Sequence, residues 1–218
     1  MTTERKTYAS PRQLERQQRV LACARVAISK VGYDRLTMKD LAESSEVSTK
    51  TLYNLYNSKD ELLVAAVADL LADLAEQHDV VAAEPGIARM LARVSAISAQ
   101  VVATPAYAET MARTLFQASK DNDLIEVLLK NARLTVLSQL REAEKAGELQ
   151  PGVDLEQTAT VLTGHQWSVV LMWNKGLIPL KEFEEQAQRS QLMSLIPITN
   201  DVTQKNLLAA LSNTRARN

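Results

Sequence analysis

The sequence predicts an all-α protein, on three observations. Alanine and leucine dominate the 218 residues, against only six Gly, six Pro and two Phe, a balance that favours helices and disfavours an extensive sheet. Apolar residues recur at three- and four-residue spacing in the stretches between turn signals. Several of those stretches open on Ser, Thr or Asp, whose side-chain oxygens satisfy the free N–H groups of a first helical turn. A composition that is 46% hydrophobic and 23% charged places the chain among ordinary globular proteins.

Residues 12–30 carry a broad apolar stripe through Leu14, Val20, Leu21, Ala24, Ala27 and Ile28, and Gly32 is placed to end that helix. Thr37, followed three residues on by Asp40, predicts a capped second helix reaching about Ser44. Ser48 caps a third helix, and Ser58 with Glu61 forms an S-x-x-E capping box that opens a fourth, running to about residue 77. Pro85-Gly86 breaks the chain before a helix over 87–102, and Thr104-Pro105 restarts one to about 119. Residues 121–146 form a long amphipathic helix stopped by Gly147. After Pro151-Gly152, Asp154 caps an unusually apolar helix to Asn174; further helices cover 180–196 and 201–211, and the tail 212–218 is expected to fray.

Two short helices, a tight turn and a third helix start within residues 37–63 are the layout of a helix-turn-helix, whose second helix enters a DNA major groove. Charge distribution agrees. Residues 1–60 hold eleven Lys/Arg against seven Asp/Glu, whereas the remainder is net acidic, so the basic end coincides with the motif. The expected organisation is an N-terminal three-helix helix-turn-helix DNA-binding domain over 1–60 and a larger helical ligand-binding and dimerisation domain over 61–218.

Other chemistries find little support. Cys23 is the only cysteine and His78 and His165 the only histidines, so an intramolecular disulfide is impossible and a metal set is poor. The sequence has no glycine-rich phosphate loop, G-x-S-x-G or H-E-x-x-H, so catalysis is not expected, nor any cofactor or metal. No apolar run reaches the roughly 20 residues that span a bilayer, and residues 1–10 lack the apolar core of a signal peptide. A cytoplasmic protein with no membrane partner is expected.

The ordered set of residues 22–32 as first helix, Leu36-Thr37-Met38-Lys39-Asp40-Leu41-Ala42 as second, Val47-Ser48 at the turn, Thr51-Leu52-Tyr53 in recognition and Ser58-Lys59-Asp60-Glu61-Leu62-Leu63 at the exit resembles the TetR family of bacterial transcriptional regulators. The resemblance is strongest over residues 19–63; beyond them it is architectural. It implies a dimer that binds operator DNA and a body that answers an effector. The chain departs from the family at Glu46, where many relatives place glycine in the turn, and at Leu55, which cannot donate to a phosphate.

Roles can be assigned residue by residue. Leu41, Ala42, Val47 and Leu52 have the spacing of the crossing between the two motif helices and are expected in the core. Lys50 has the reach for a guanine edge or a phosphate; Thr37, Lys39, Ser48, Tyr53 and Lys59 stand where phosphates lie; Thr49, Thr51 and Asn54 are candidate groove readers. Arg5, Lys6 and Arg12 read either as a minor-groove arm or as a solvated tail.

In the body, the apolar helices over 154–174 and 180–196 suit a four-helix homodimer interface burying Trp167, Leu171 and Phe183, although intramolecular burial of the same side chains is an open alternative. An effector pocket, small and largely apolar, would draw on Met90, Tyr107, Met111, Phe116, Asn131, Thr135, His165, Gln166 and Trp173. Two functions remain. One is a homodimeric repressor released from a palindromic double-stranded DNA operator by a small-molecule effector; the other is an architectural or protein-regulated DNA-binding factor without such a ligand.

Overall fold

The computed structural model describes residues 11–33, 35–77, 83–117 and 123–215. Among them are ten α-helices: α1 Pro11–Val31, α2 Met38–Ser44, α3 Thr49–Leu55, α4 Lys59–Gln77, α5 Ile87–Ala103, α6 Pro105–Gln117, α7 Asp123–Lys145, α8 Leu155–Asn174, α9 Leu180–Leu195 and α10 Asp201–Arg215, with one 3-10 turn at Ile196–Ile198. The single β pairing of the described residues is an antiparallel bridge between Leu149 and Thr199. The fold is therefore all-α. The expectations for Arg5, Lys6 and His78 lie outside the described residues.

Two compact units divide between Asp69 and Leu70, within α4. In the first, Val20, Leu21, Ala24 and Ile28 of α1 pack with Leu41, Ala42, Leu52, Leu62 and Leu63 as a buried core, all at most 7% exposed. Seven of these nine side chains belong to the stripe read over residues 12–30 or to the expected crossing of the motif helices.

The second unit holds two apolar clusters. The larger joins Ile87 and Met90 of α5, Leu137, Leu140 and Ala143 of α7, Leu162 of α8 and Leu192 and Leu195 of α9. The other gathers Val94, Val169, Ile178, Phe183 and Ala187, with Trp173 set edge-on to Phe183 at 5.5 Å between ring centroids. Phe183 is only 2% exposed within a single chain. This corrects its assignment to the dimer interface: α9 turns it inward, against α5 and α8.

Helix ends follow their chemistry. Asp154 accepts from the Gln157 N–H at 3.0 Å to start α8. The cap of α5 comes from a distant residue instead: the Ile87 N–H donates to Glu148 Oε2 at 3.0 Å. A Cβ at residue 86 would collide with that carboxylate, and Gly86 has φ of 98°, so glycine is required there twice over. At the other end of the unit, α10 continues to Arg215, past the expected end at residue 211. The Thr214 hydroxyl donates to the Leu211 carbonyl at 2.7 Å and accepts from Arg189 of α9 at 3.3 Å, tertiary support that outweighs the weak helix propensity of Ser212, Asn213 and Thr214.

Candidate nucleic-acid interface

The motif is built from its caps. Thr37 Oγ1 accepts from the Asp40 N–H at 3.1 Å while Asp40 Oδ2 accepts from the Thr37 N–H at 3.2 Å, a complete capping box. Ser48 Oγ accepts from the Thr51 N–H at 3.0 Å and also lies 2.8 Å from Thr51 Oγ1. The expected box at Ser58 and Glu61 is rearranged. Ser58 Oγ accepts from the Glu61 N–H at 3.0 Å, but the Glu61 carboxylate reaches one residue further back and takes both the backbone and the side-chain N–H of Asn57.

Between α2 and α3 the chain reverses at Glu46, whose φ of 55° makes it the one non-glycine residue with positive φ among the described residues. The Glu46 N–H donates to Glu43 and the Val47 N–H to Ala42, both carbonyls at the end of α2, the paired closure of a Schellman motif that glycine usually supplies. Two α1 side chains reach the same end. Arg19 Nε donates to the Ser45 carbonyl at 3.1 Å, and the Cys23 thiol to the Ser44 carbonyl at 3.3 Å. Arg19 was not singled out from the sequence, because nothing in the helical spacing of α1 points to a carbonyl 26 residues away.

With Leu52 fully buried beneath it, α3 presents Thr49, Lys50, Tyr53 and Asn54 to solvent on one face, Tyr53 being 48% exposed. Thr37, Lys39 and Ser48 are exposed beside that face. Thr51 is half-buried, its hydroxyl engaged by Ser48. Lys59 is also half-buried: its ammonium donates to the carbonyls of Tyr33 and Leu36 at 3.0 and 3.1 Å and lies 4.1 Å from the Tyr33 ring centroid. Two of its three N–H groups are thus engaged. Arg35, exposed two residues before the α2 cap, is a further base that sequence reasoning passed over; its place directly before a capped helix was the available signal.

Tyr56 closes the floor of the motif at 7% exposure. Burial, with the negative charges of Asp69 and Glu61, pushes its hydroxyl pKa up to about 12.

The residues expected around an effector are dispersed. Met90 sits in the larger apolar cluster, and Tyr107 and Met111 are buried on α6. Phe116 meets Trp167 edge-on at 6.2 Å, Gln166 and Trp173 are half-buried, and the Thr135 hydroxyl donates to the Asn131 carbonyl of its own helix. Asn131 and His165 are exposed. His165 Nδ1 lies 2.6 Å from Ser194 Oγ; that hydroxyl donates to the Ser190 carbonyl, so the imidazole is the donor. A cleft of about 290 Å³ between α5, α9 and α10 is lined by other residues, among them Ser95, Gln188 and Asn213. No described helix is long and apolar enough to cross a membrane, and no described cluster of His, Cys, Asp and Glu has the makings of a metal site.

Comparison with known proteins follows the same division. Residues 20–66 match the sequence model of bacterial regulatory proteins, tetR family, the stretch that contains the motif just described. The chain is 27% identical over 170 residues to the HTH-type transcriptional repressor KstR of Mycobacterium tuberculosis, covering 75% of this chain and 73% of KstR. Among solved structures it shares its fold with the full-length TetR regulator TylP of Streptomyces fradiae, at a TM-score of 0.66 and 16% identity over 94% of both chains. It likewise shares it with the TetR-family repressor FadR of Thermus thermophilus, solved in complex with lauroyl-CoA, at a TM-score of 0.66 and 17% identity over 82% of this chain and 93% of that one. The helix-turn-helix of the N-terminal unit thus carries the sequence pattern of the tetR family of bacterial regulatory proteins, and the chain as a whole shares the fold of TetR regulators.

Proposed function

We propose that the chain is a homodimeric repressor that grips a palindromic operator through α3 and releases it when a small, largely apolar effector binds the helical body. One observation carries the reading: Thr49, Lys50, Tyr53 and Asn54 stand together on the exposed face of a helix anchored from behind by the fully buried Leu52. Lys50 and Asn54 have the donors to read guanine and adenine edges, and Thr49 joins them. Thr37, Lys39, Ser48 and Tyr53 take flanking phosphates, while Thr51 and Lys59 act mainly by positioning the turn and the loop before α2.

Dimerisation is supported by α8. From Gln157 to Asn174 the helix carries no Asp, Glu, Lys or Arg, and Val161, Gly164, His165, Ser168, Leu171 and Met172 are exposed along it. A charge-free outward face five turns long suits a second copy of the same helix better than water. Two heads would then sit about 34–36 Å apart, one turn of DNA. The repressor named KstR and the acyl-CoA-bound FadR support the regulatory mode and the presence of an effector. An effector that prefers the released conformation lowers operator affinity by population shift alone.

The test is selection of genomic fragments by the purified protein at near-physiological salt with competitor DNA. A recovered palindrome is expected; salt-sensitive binding without a motif would replace this reading with that of an architectural factor.

A further inference from the structure

Among the described residues of the body, Arg93 and Gln139 present polar groups that find no partner. Arg93, on α5, is half-buried and makes no hydrogen bond or ion pair to the described residues. Burial pushes its pKa down and no acid offsets the effect. Gln139, on α7, is 8% exposed and its buried Oε1 has no hydrogen-bond partner. Buried polar groups are nearly always satisfied, and an isolated buried charge is costlier still.

Counting turns from the nearest contacts sets the two at matching levels of one helix pair. Backbone of Gly86, at the start of α5, lies against that of Ala143, near the end of α7, so α5 runs back along α7. Arg89 Nη1 lies 3.9 Å from Glu142 Oε2. Arg93 is one turn beyond Arg89 and Gln139 one turn before Glu142, which in an antiparallel pair is one step in the same direction. By this count the next rung sets a guanidinium against an amide, and no acid acts on the Arg93 charge. A third such group, the Thr163 hydroxyl, is buried without a partner on α8, one turn from the Trp167 ring that meets Phe116. Helix α8 packs on α7.

We infer that Arg93 and Gln139 receive the carboxylate of an amphiphilic monoanion whose apolar part lies among the helices of the body. The inference rests on the effector reading above and gives that effector a head group. One guanidinium in a poorly solvated site balances one negative charge; a phosphate dianion would leave one unneutralised. The planar fork of Arg93 matches a carboxylate's two oxygens, and the Gln139 amide, held by no partner at its oxygen, can turn its N–H groups to the head group. Holding such a site ready costs stability in the absence of ligand, a cost that sites kept for binding commonly carry.

Decanoate, 1-decanol and decyl phosphate, titrated against the full chain by tryptophan fluorescence and thermal melting, test this. Wild type is expected to bind decanoate about tenfold or more tighter than decanol, the size of one charge-assisted contact, with decyl phosphate weaker than decanoate. Arg93→Met is expected to lose that preference while keeping decanol binding, Arg93→Lys to regain part of it, and ligand-free Arg93→Met to melt at or above the wild-type temperature. Equal binding of acid and alcohol by wild type overturns the head-group assignment and leaves the effector reading standing. Binding of none of the three, with Arg93→Met melting below wild type, overturns both.

Discussion

Lys59 sits over the ring of Tyr33 and donates to the carbonyl of the same residue at 3.0 Å, joining the start of α4 to the loop that follows α1. The Tyr33 hydroxyl in turn donates to Asp60, so the contact runs in both directions. Together with the bond to the Leu36 carbonyl, this fixes the loop from which Thr37 caps α2. Lys59→Met should therefore act first on stability, lowering the unfolding free energy by about 1–3 kcal/mol through the lost charge-assisted bonds and cation–π contact. Operator affinity should fall with the slope of log K against log salt unchanged. A slope shallower by about one would mean that the ammonium leaves its carbonyls for a phosphate on DNA.

Glu46 holds the opposite end of α2 at an energetic disadvantage. Its positive φ costs a residue with a Cβ about 1–2 kcal/mol relative to glycine, and its side chain is exposed, so no contact repays that strain. Glu46→Gly should raise the denaturation midpoint, by about 1 kcal/mol after glycine's greater unfolded-state entropy is deducted. It also removes an acidic group beside the recognition helix, so affinity for all DNA sequences should rise together. Urea unfolding and binding to a non-operator duplex measure the two effects separately.

The helix ends were legible because they are local: Thr37, Ser48 and Asp154 cap the turns that immediately follow them. What was not legible depends on contacts across the chain. Periodicity marks Phe183 as apolar-facing but carries no information on whether the surface it meets belongs to the same molecule; the fold supplies Val94 and Val169 as neighbours. Lys59 read as an exposed base because its two carbonyl acceptors lie 26 and 23 residues earlier. Arg93 is one arginine on an amphipathic helix, which in sequence is indistinguishable from a solvated one. Its isolation exists only once the residues opposite it are known.

Lys50 and Lys39 are both exposed but belong to different helices, and their losses should differ in kind. Lys50→Ala should cost about 1–3 kcal/mol at the operator and relax the preference at one base-pair position in each half-site. Lys39→Ala should weaken operator and random DNA alike and flatten the salt dependence by about one unit. Parallel titrations on operator, single-base variants and random duplex distinguish them; equal losses on every sequence for both would assign Lys50 to a phosphate.

Leu171 is 37% exposed in the charge-free face of α8. Leu171→Glu places a carboxylate where the proposed two-fold would bring a second copy of the same helix, so two like charges meet in a surface that excludes water. Sedimentation velocity should show a dimer for wild type and a monomer for the variant, with operator affinity lost because two heads are no longer joined. The side chain's exposure within one chain means that the monomer should retain its helical content by circular dichroism. An unchanged dimer would move the interface away from this part of α8.

Tyr56 makes stability of the DNA-binding unit depend on alkaline pH. Its hydroxyl is pushed up from 10.0 to about 12 in the fold, first by burial and then by Asp69 and Glu61. The folded protein therefore retains a proton that the unfolded chain releases above pH 10. Between these values the unfolded state binds fewer protons, so stability falls as pH rises. The contribution is fully present below about pH 10 and is lost through about pH 12, amounting to at most about 2–3 kcal/mol at 1.36 kcal/mol per pH unit. Lysines titrate in the same window, so the quantity to measure is the difference between wild type and Tyr56→Phe in urea unfolding at pH 9 to 11.5. Wild type should lose stability more steeply than the variant; parallel curves would mean that the hydroxyl ionises as readily in the fold as outside it.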